Sequence, residues 1–329
     1  MAQAQHSAAH NLACAREVEE MLTALPPLPA DACATYSGRA LSFATVGVFS
    51  DASPTGSARR DPSSGSPLDA APGTPPGGNS AFIPVRVLGR GGMGEVWVAW
   101  QRSLDRQVAI KRVRIERLVG SAEDDRDFRR IQEEFEREAL VAASLEHPNI
   151  VPVHDFALDS DGNAVMAMKL VQGRPWDRLL RQDFAELGVE AFLARHLPIL
   201  VSMTQAVAFA HSRGVVHRDL KPAQVMVGDF GEVLLMDWGL AVRVGDPPAE
   251  GPIPPRRHGS HVRDATNPCG TPALMAPEQT FPTAEGIGPW TDVYLLGGTL
   301  YHLLTGTFPH EAGTAALSMM LARAGDVTP

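Results

Sequence analysis

Apolar and polar positions change their rhythm twice along the chain. Residues 26–80 show no period and are dominated by Pro, Ala, Gly, Ser and Thr, so they lack the apolar surface to offset ordering entropy and are expected to form a disordered tail, placed over 1–80. Val18, Met21, Leu22 and Leu25 make a short helical stripe near its start, either a docking element or a transient helix. From Ala81 the texture becomes strand-like: "FIPVRVLGRGGMGEVWVAWQRSLDRQVAIKRVRI" alternates in bursts around a glycine-rich turn, which predicts paired antiparallel strands. A helix is predicted over about 127–145, then a strand pair around 150–156 and 164–171. After Gly173 the spacing turns helical, with Ile199, Met203, Val207 and Ala210 on one face. Strands first and helices second predict an α+β protein of two lobes, 81–171 and 172–329, hinged near Lys169 to Gly173.

Composition narrows the functional classes. A net charge of -9 argues against a duplex nucleic-acid binder, which needs a basic face for phosphates. The three cysteines, Cys14, Cys33 and Cys269, show no CxxC pairing, which speaks against a disulfide framework or zinc ribbon and fits a reducing cytoplasm. The N-terminus shows no secretory signal, and no uninterrupted apolar run reaches the length of a membrane helix. The longest candidate, Val293 to Leu304, is interrupted by His302 and reads as a buried helix of a soluble protein.

Several motifs carry chemistry. "GRGGMG" (Gly89, Gly91, Gly94) lets backbone amides approach phosphates, or is a plain glycine-rich hairpin, and its continuation into the strand-like "EVWVAW" argues against a Rossmann unit, which would enter a helix. A GKS or GKT is missing, which removes the P-loop reading. "VAIK" sets Lys111 between apolar neighbours on the following strand. Glu138 shares the apolar face of the next helix with Phe128, Ile131, Phe135 and Ala142, and a carboxylate there needs a buried cation. Lys111 is the natural partner, leaving its ammonium facing nucleotide phosphates. "HRDLKPAQVM" (217–226) and "MDWGLA" bring Asp219 and Asp237 on apolar-flanked loops, a combination suited to one general base and one metal ligand. "GTPALMAPE" (270–278) completes the order.

In that order the motifs resemble a eukaryotic-type (Hanks-type) serine/threonine protein kinase of the kind found in bacteria. The resemblance implies a two-lobed fold with a small antiparallel-sheet N-lobe, one main N-lobe helix and a mainly helical C-lobe. It implies ATP and Mg²⁺ (or Mn²⁺) as cofactors, protein substrates and signalling by phosphorylation, with autophosphorylation. Gly89, Gly91 and Gly94 are expected to cover the phosphates, with Val96 and Ala109 over the adenine. Lys111 and Glu138 are the expected strand-lysine and helix-glutamate pair. Met168 is the expected gatekeeper, and Lys169, Leu170 and Val171 the adenine-binding hinge. Asp219 would take or orient the hydroxyl proton, Lys221 with Thr271 would steady the transferred phosphate, and Asp237 would hold the metal. Asp292, opening an apolar helix, is either the anchor of the catalytic loop or a surface helix cap. Arg218 suggests control by activation-segment phosphorylation, with Ser260 or Thr266 beside Arg256, Arg257 and Arg263 as candidates, or else as plain solvated residues. His258 and His261 in the same segment lack acidic or cysteine partners for a metal.

Three departures from the family pattern stand out. Gln224 replaces the metal-binding asparagine of the catalytic loop, moving the amide outward by about 1.5 Å, so reduced activity is expected. Trp238 replaces a phenylalanine and is expected to pack under the N-lobe helix. About one further helix, near Thr314 to Arg323, fits before the end of the sequence, which predicts a C-lobe lacking its last helices and leaves Glu278 without its arginine partner. The expected activity is transfer of the ATP γ-phosphate to Ser/Thr hydroxyls. A nucleotide-binding pseudokinase scaffold is the alternative, and a small-molecule phosphotransferase is disfavoured by "GTPALMAPE".

Overall fold

The computed structural model describes residues 81–91, 94–113, 122–159, 163–245, 260–262, 265 and 267–327, with side chains in the first helix from Arg129 onward. The expected tail with its Val18–Leu25 stripe, the Phe128 side chain, and Arg256, Arg257, His258, Arg263 and Thr266 lie outside the described residues. The first part is a five-stranded antiparallel sheet in the order β1-β2-β3-β5-β4. Its strands are β1 (Phe82–Gly91), β2 (Gly94–Gln101), β3 (Arg106–Arg112), β4 (Val153–Leu158) and β5 (Ala164–Met168). Pro84 sits on β1, an edge strand, where a missing ladder donor costs least.

Burial in the central strands is nearly continuous because both sheet faces are covered. Phe82, Ala99, Val108, Ile110 and Ala167 pack on one side. On the other, Ala109, Met166 and Met168 meet Phe135 and Ala139 of helix α1 (Ala122–Ser144). This is why Val108, Ala109 and Ile110 read as an apolar run instead of an alternation. The register Val96↔Lys111 and Lys111↔Met166 puts Lys111 at the centre of the sheet.

The chain leaves β5 at Met168 and re-enters structure at β6 (Gly173–Pro175), where the texture of the sequence changes. At Gly173 a Cβ would stand 2.1 Å from the Val227 carbonyl, so only glycine lets the two backbones approach this closely. The second part holds α2 (Trp176–Glu186), α3 (Val189–Ser212), α4 (Pro289–Thr305) and α5 (Ala315–Ala324). Two small sheets join them: β6 with β8 (Val225–Gly228) and β9 (Val233–Leu235), and β7 (Val215–Val216) with β10 (Val242–Arg243) and β11 (Ser260–His261). Ile199, Met203, Val207 and Ala210 of α3 are all buried in the main core, beside Trp176, Leu220, Trp238 and Leu295.

The reading of the apolar stretches needs one correction. Among the described residues, the helix long and apolar enough to cross a membrane by length and composition is α3, not the 293–304 segment. It carries Glu190, Arg195 and His196, and its apolar face lies in the core, the position of a central helix in a folded lobe. In α4, Leu295 and Leu303 are buried while Val293 and Leu304 are exposed. Helix α5 is where the sequence predicts it, with the Thr314 hydroxyl accepting from the Leu317 N–H at 3.2 Å as an N-cap.

Candidate active site

Between the two lobes lies a cleft of about 1000 Å³, counting its open mouth. Leu88, Val96, Ala109, Met168 and Met226 give it apolar walls, and Lys169, Leu170 and Val171 form its back edge. Lys111, Glu138, Gln224 and Asp237 supply its polar end. A slot of this character suits a flat aromatic ring with a charged tail. Gly94 closes the top of the cleft: its φ is 151°, and a Cβ there would meet the Arg112 carbonyl at 2.1 Å. Gly89 pairs with Val96 and Gly91 with Gly94, so the glycine-rich stretch is a hairpin running into a strand, as predicted.

Three elements bring charge to the polar end. Lys111 comes from β3, Glu138 from α1 and Asp237 from the loop after β9. The Lys111 Nζ lies 2.5 and 2.7 Å from the two Glu138 oxygens and 3.5 Å from Asp237 Oδ1. Burial lowers the proton affinity of the lysine, but Asp237 and Glu138 together outweigh it and hold the ammonium above the ordinary lysine value. Burial also pushes the Glu138 carboxyl up while the Lys111 charge pulls it back. With the ammonium against both of its oxygens, we take the pair as ionised. For Asp237 burial again works upward, and Lys111 leads the neighbours that bring the carboxyl below its usual range.

The catalytic-loop residues sit beside this pair. Asp219 accepts from Lys221 Nζ at 2.8 Å, from Gln224 Nε2 at 3.2 Å and from the Thr271 hydroxyl at 2.7 Å. Lys221 also donates to Thr271 Oγ1 at 2.7 Å. Gln224 reaches Asp237 Oδ2 at 3.3 Å through the same amide nitrogen, so it spans the gap between the two aspartates. A carboxylate and an amide oxygen are hard donors of the kind Mg²⁺ or Mn²⁺ accepts. An amide flip places the Gln224 oxygen where its nitrogen now stands. Asp237 and Gln224 are the side chains that would hold a divalent cation, at the cost of the two hydrogen bonds the Gln224 amide now donates.

Asp292 is the loop's anchor and not a surface cap. It is fully buried and accepts from the His217 N–H and the Arg218 N–H, each at 2.8 Å, and lies 2.7 Å from His211 Nε2. Trp238 is buried with Val141, Ala142 and Leu145 of α1, and its ring packs at a tilt of 51° against His217, 4.7 Å between centroids. Its indole N–H finds no acceptor among the described residues. Glu278 is half-buried and accepts from the Thr291 hydroxyl at 2.6 Å. Arg323 turns elsewhere, lying over the Phe281 ring at 4.6 Å. Among the described residues no group of three His, Cys, Asp or Glu could hold a metal.

Leu88, Met226 and Met236 were missed as cleft residues. Leu88 and Met236 directly precede named motif positions, so adjacency was the available signal. Met226 lies on β8, whose burial on both sides hides which face meets the cleft.

A family model described as "Protein kinase domain" matches residues 82–324. The chain is 34% identical over 241 residues to the serine/threonine-protein kinase PknD of Protochlamydia amoebophila, covering 70% of this chain and 23% of that protein. It is 36% identical over 239 residues to the protein of the same name from Chlamydia caviae, covering 69% and 24%. The chain spans about a quarter of the length of these curated relatives. The family match covers both lobes and every polar group of the cleft, and the chain belongs to the protein kinase family, in the eukaryotic-type serine/threonine group found in bacteria.

Proposed function

We propose that the chain is an ATP-dependent protein kinase that transfers the γ-phosphate to serine or threonine hydroxyls of protein substrates, itself included. The observation that carries this reading is the meeting of Lys111, Glu138 and Asp237 with the Asp219–Lys221–Thr271 cluster at one end of an apolar cleft. The apolar walls and the hinge backbone at 169–171 bind and orient the nucleotide base. Lys111, fixed by Glu138, presents a point charge to phosphate oxygens. Asp219, steered by Lys221 and Thr271, receives or orients the proton of the attacking hydroxyl. A bound divalent ion would supply electrostatic neutralisation of the phosphate charge, held by Asp237 and Gln224. Lys221 adds charge where the transferred group passes. The Lys221–Thr271 contact supports hydroxyls of serine or threonine as acceptors.

The pseudokinase scaffold drew support from Gln224 and from the short C-lobe; the Gln224 amide lies within reach of both aspartates and by itself gives no reason to prefer that reading. The deciding experiment is phosphate incorporation from labelled ATP into the chain and a generic basic protein, with Mg²⁺ or Mn²⁺. Activity is expected in the native sequence and lost in Asp219→Asn, with nucleotide affinity nearly unchanged. Loss of nucleotide binding in that variant would show Asp219 to be structural, and a folded, ATP-binding but inactive native chain would overturn the kinase reading.

A further inference from the structure

The segment between Asp237 and Glu278 is fastened to the catalytic loop by two amide side chains that no motif singled out. Asn267 is buried, and its Oδ1 accepts from Arg218 at 3.3 Å and from the Cys269 thiol at 3.3 Å. Its Nδ2 donates to the Thr283 carbonyl at 3.0 Å, so one side chain touches the catalytic loop, the segment itself and the stretch leading into α4. Gln279, also fully buried, donates to the Arg218 carbonyl at 2.7 Å and the Cys269 carbonyl at 3.1 Å while accepting from the Ala276 N–H at 3.0 Å. Between them sits Gly270, with a φ of 124°, where a Cβ would press on Gln279 Nε2 at 3.0 Å and the Arg218 carbonyl at 3.2 Å. The next residue is Thr271, the partner of Asp219 and Lys221.

The Arg218 guanidinium is buried, and a buried cation needs acceptors. Two of them are neutral groups of the chain itself: the Leu240 carbonyl, at 2.7 Å from Nε, and Asn267 Oδ1. A phosphate is the alternative acceptor, since an arginine beside the catalytic aspartate is well placed to receive a phosphorylated segment. Asn267 brings to the same arginine an amide that has a second and a third partner of its own.

We propose that Asn267 is a positioning residue that docks the activation segment onto Arg218, so that Thr271 meets Asp219 and transfer proceeds without a phosphate on Ser260 or Thr266. The proposal rests on the kinase reading for its activity half and on geometry alone for its docking half, and the test separates them. The chain is treated with phosphatase and its phosphate-free state confirmed by mass spectrometry. Peptide phosphorylation, ATP affinity and amide hydrogen exchange over 268–275 are then measured. The native chain, and a Ser260→Ala, Thr266→Ala double variant, are expected to transfer phosphate within about twofold of untreated protein. Asn267→Ala should lower kcat/KM for the peptide by about tenfold, the order expected for losing a hydrogen bond to a charged group. ATP affinity should stay constant and exchange at Cys269 to Met275 should quicken. Asn267→Asp, which keeps an acceptor for Arg218, should restore most of the rate, whereas a purely structural role would not distinguish an acidic from an apolar replacement.

A native chain that is silent when phosphate-free and switched on by segment phosphorylation would overturn the proposal. So would an Asn267→Ala variant with native kinetics and native exchange. Inactivity of the native chain in both phosphorylation states would overturn the kinase reading and with it independence from phosphate. Exchange would still decide the tether, with unchanged protection in Asn267→Ala counting against it.

Discussion

Two clusters of buried charge in this molecule look alike on paper and do different work. One is Lys111 with Glu138 and Asp237 at the end of the cleft. The other ties α2 to α3: Asp183, almost wholly buried, lies 3.0 Å from Arg195 and 3.1 Å from His196 Nε2, and Trp176 Nε1 donates to His196 Nδ1 at 3.0 Å. Because Trp176 gives its proton to Nδ1, the hydrogen of the neutral imidazole must sit on Nε2, facing Asp183. That cluster belongs to two adjacent helices of one lobe, with Arg195 half exposed. The first cluster draws on three elements from both lobes and opens into a cavity. Ion pairing inside a protein therefore does not by itself mark a site; what marks one is charge assembled from several elements and aimed at a space large enough for a ligand.

Substitutions should pull the two clusters apart. Lys111→Met is expected to cut phosphate transfer by at least about a hundredfold by removing charge stabilisation at the phosphates, and to lower the melting temperature too, because Glu138 loses the cation its burial demands; a folded variant that keeps its transfer rate would make Lys111 a structural residue. Asp183→Ala should cost stability alone, about 2 to 3 kcal/mol, the low end for a broken buried pair because Arg195 is partly solvated, and leave transfer near native. Denaturant unfolding beside single-temperature kinetics would read both. If Asp183→Ala slows the folded enzyme instead, the contrast fails.

Acidification should find the helical cluster next. Burial lowers the proton affinity of His196, His302 and His310 below the ordinary histidine value of 6.5, despite favourable neighbours such as Asp183. The unfolded chain then binds more protons between the depressed values and 6.5, so stability is full above 6.5 and is lost as pH falls below it. Melting temperature measured from pH 7.5 to 5.5 should drop, and His196→Gln should flatten part of that slope.

The smallest effect belongs to Gln224→Asn. Shortening the amide should lower the Mg²⁺ concentration for half-maximal rate by about threefold, since metal geometry tolerates little misplacement. An unchanged metal dependence would show that Gln224 holds the two aspartates and leaves the ion to Asp237.

Much of the site was legible because its chemistry is local in sequence. "VAIK", "HRDLKP" and "MDWG" each carry a charged residue inside an apolar frame, and burial of such residues demands partners. The strand-then-helix order was legible from the switch of period at Gly173. What stayed hidden depends on contacts between distant segments. Asn267 and Gln279 are ordinary polar residues until Arg218 and Cys269 are folded against them, and the partner of Glu278 is a threonine that no charge pattern signals. Helix α3 was underread as an apolar element because Glu190, Arg195 and His196 break its run, although its buried face is continuous.

Asp292 carries one more implication, concerning handedness. Arg218 has a φ of 70°, in a left-handed region that costs a non-glycine residue about 1 to 2 kcal/mol. The carboxylate of Asp292 catches the N–H of Arg218 and of the residue before it, and so pins the peptide from which that left-handed turn departs. The direction in which Asp219 faces is thus decided by a group on a helix that touches neither nucleotide nor substrate. Without it the backbone gains by relaxing toward the right-handed side, and the base would swing away from the cleft with every atom of its own side chain intact.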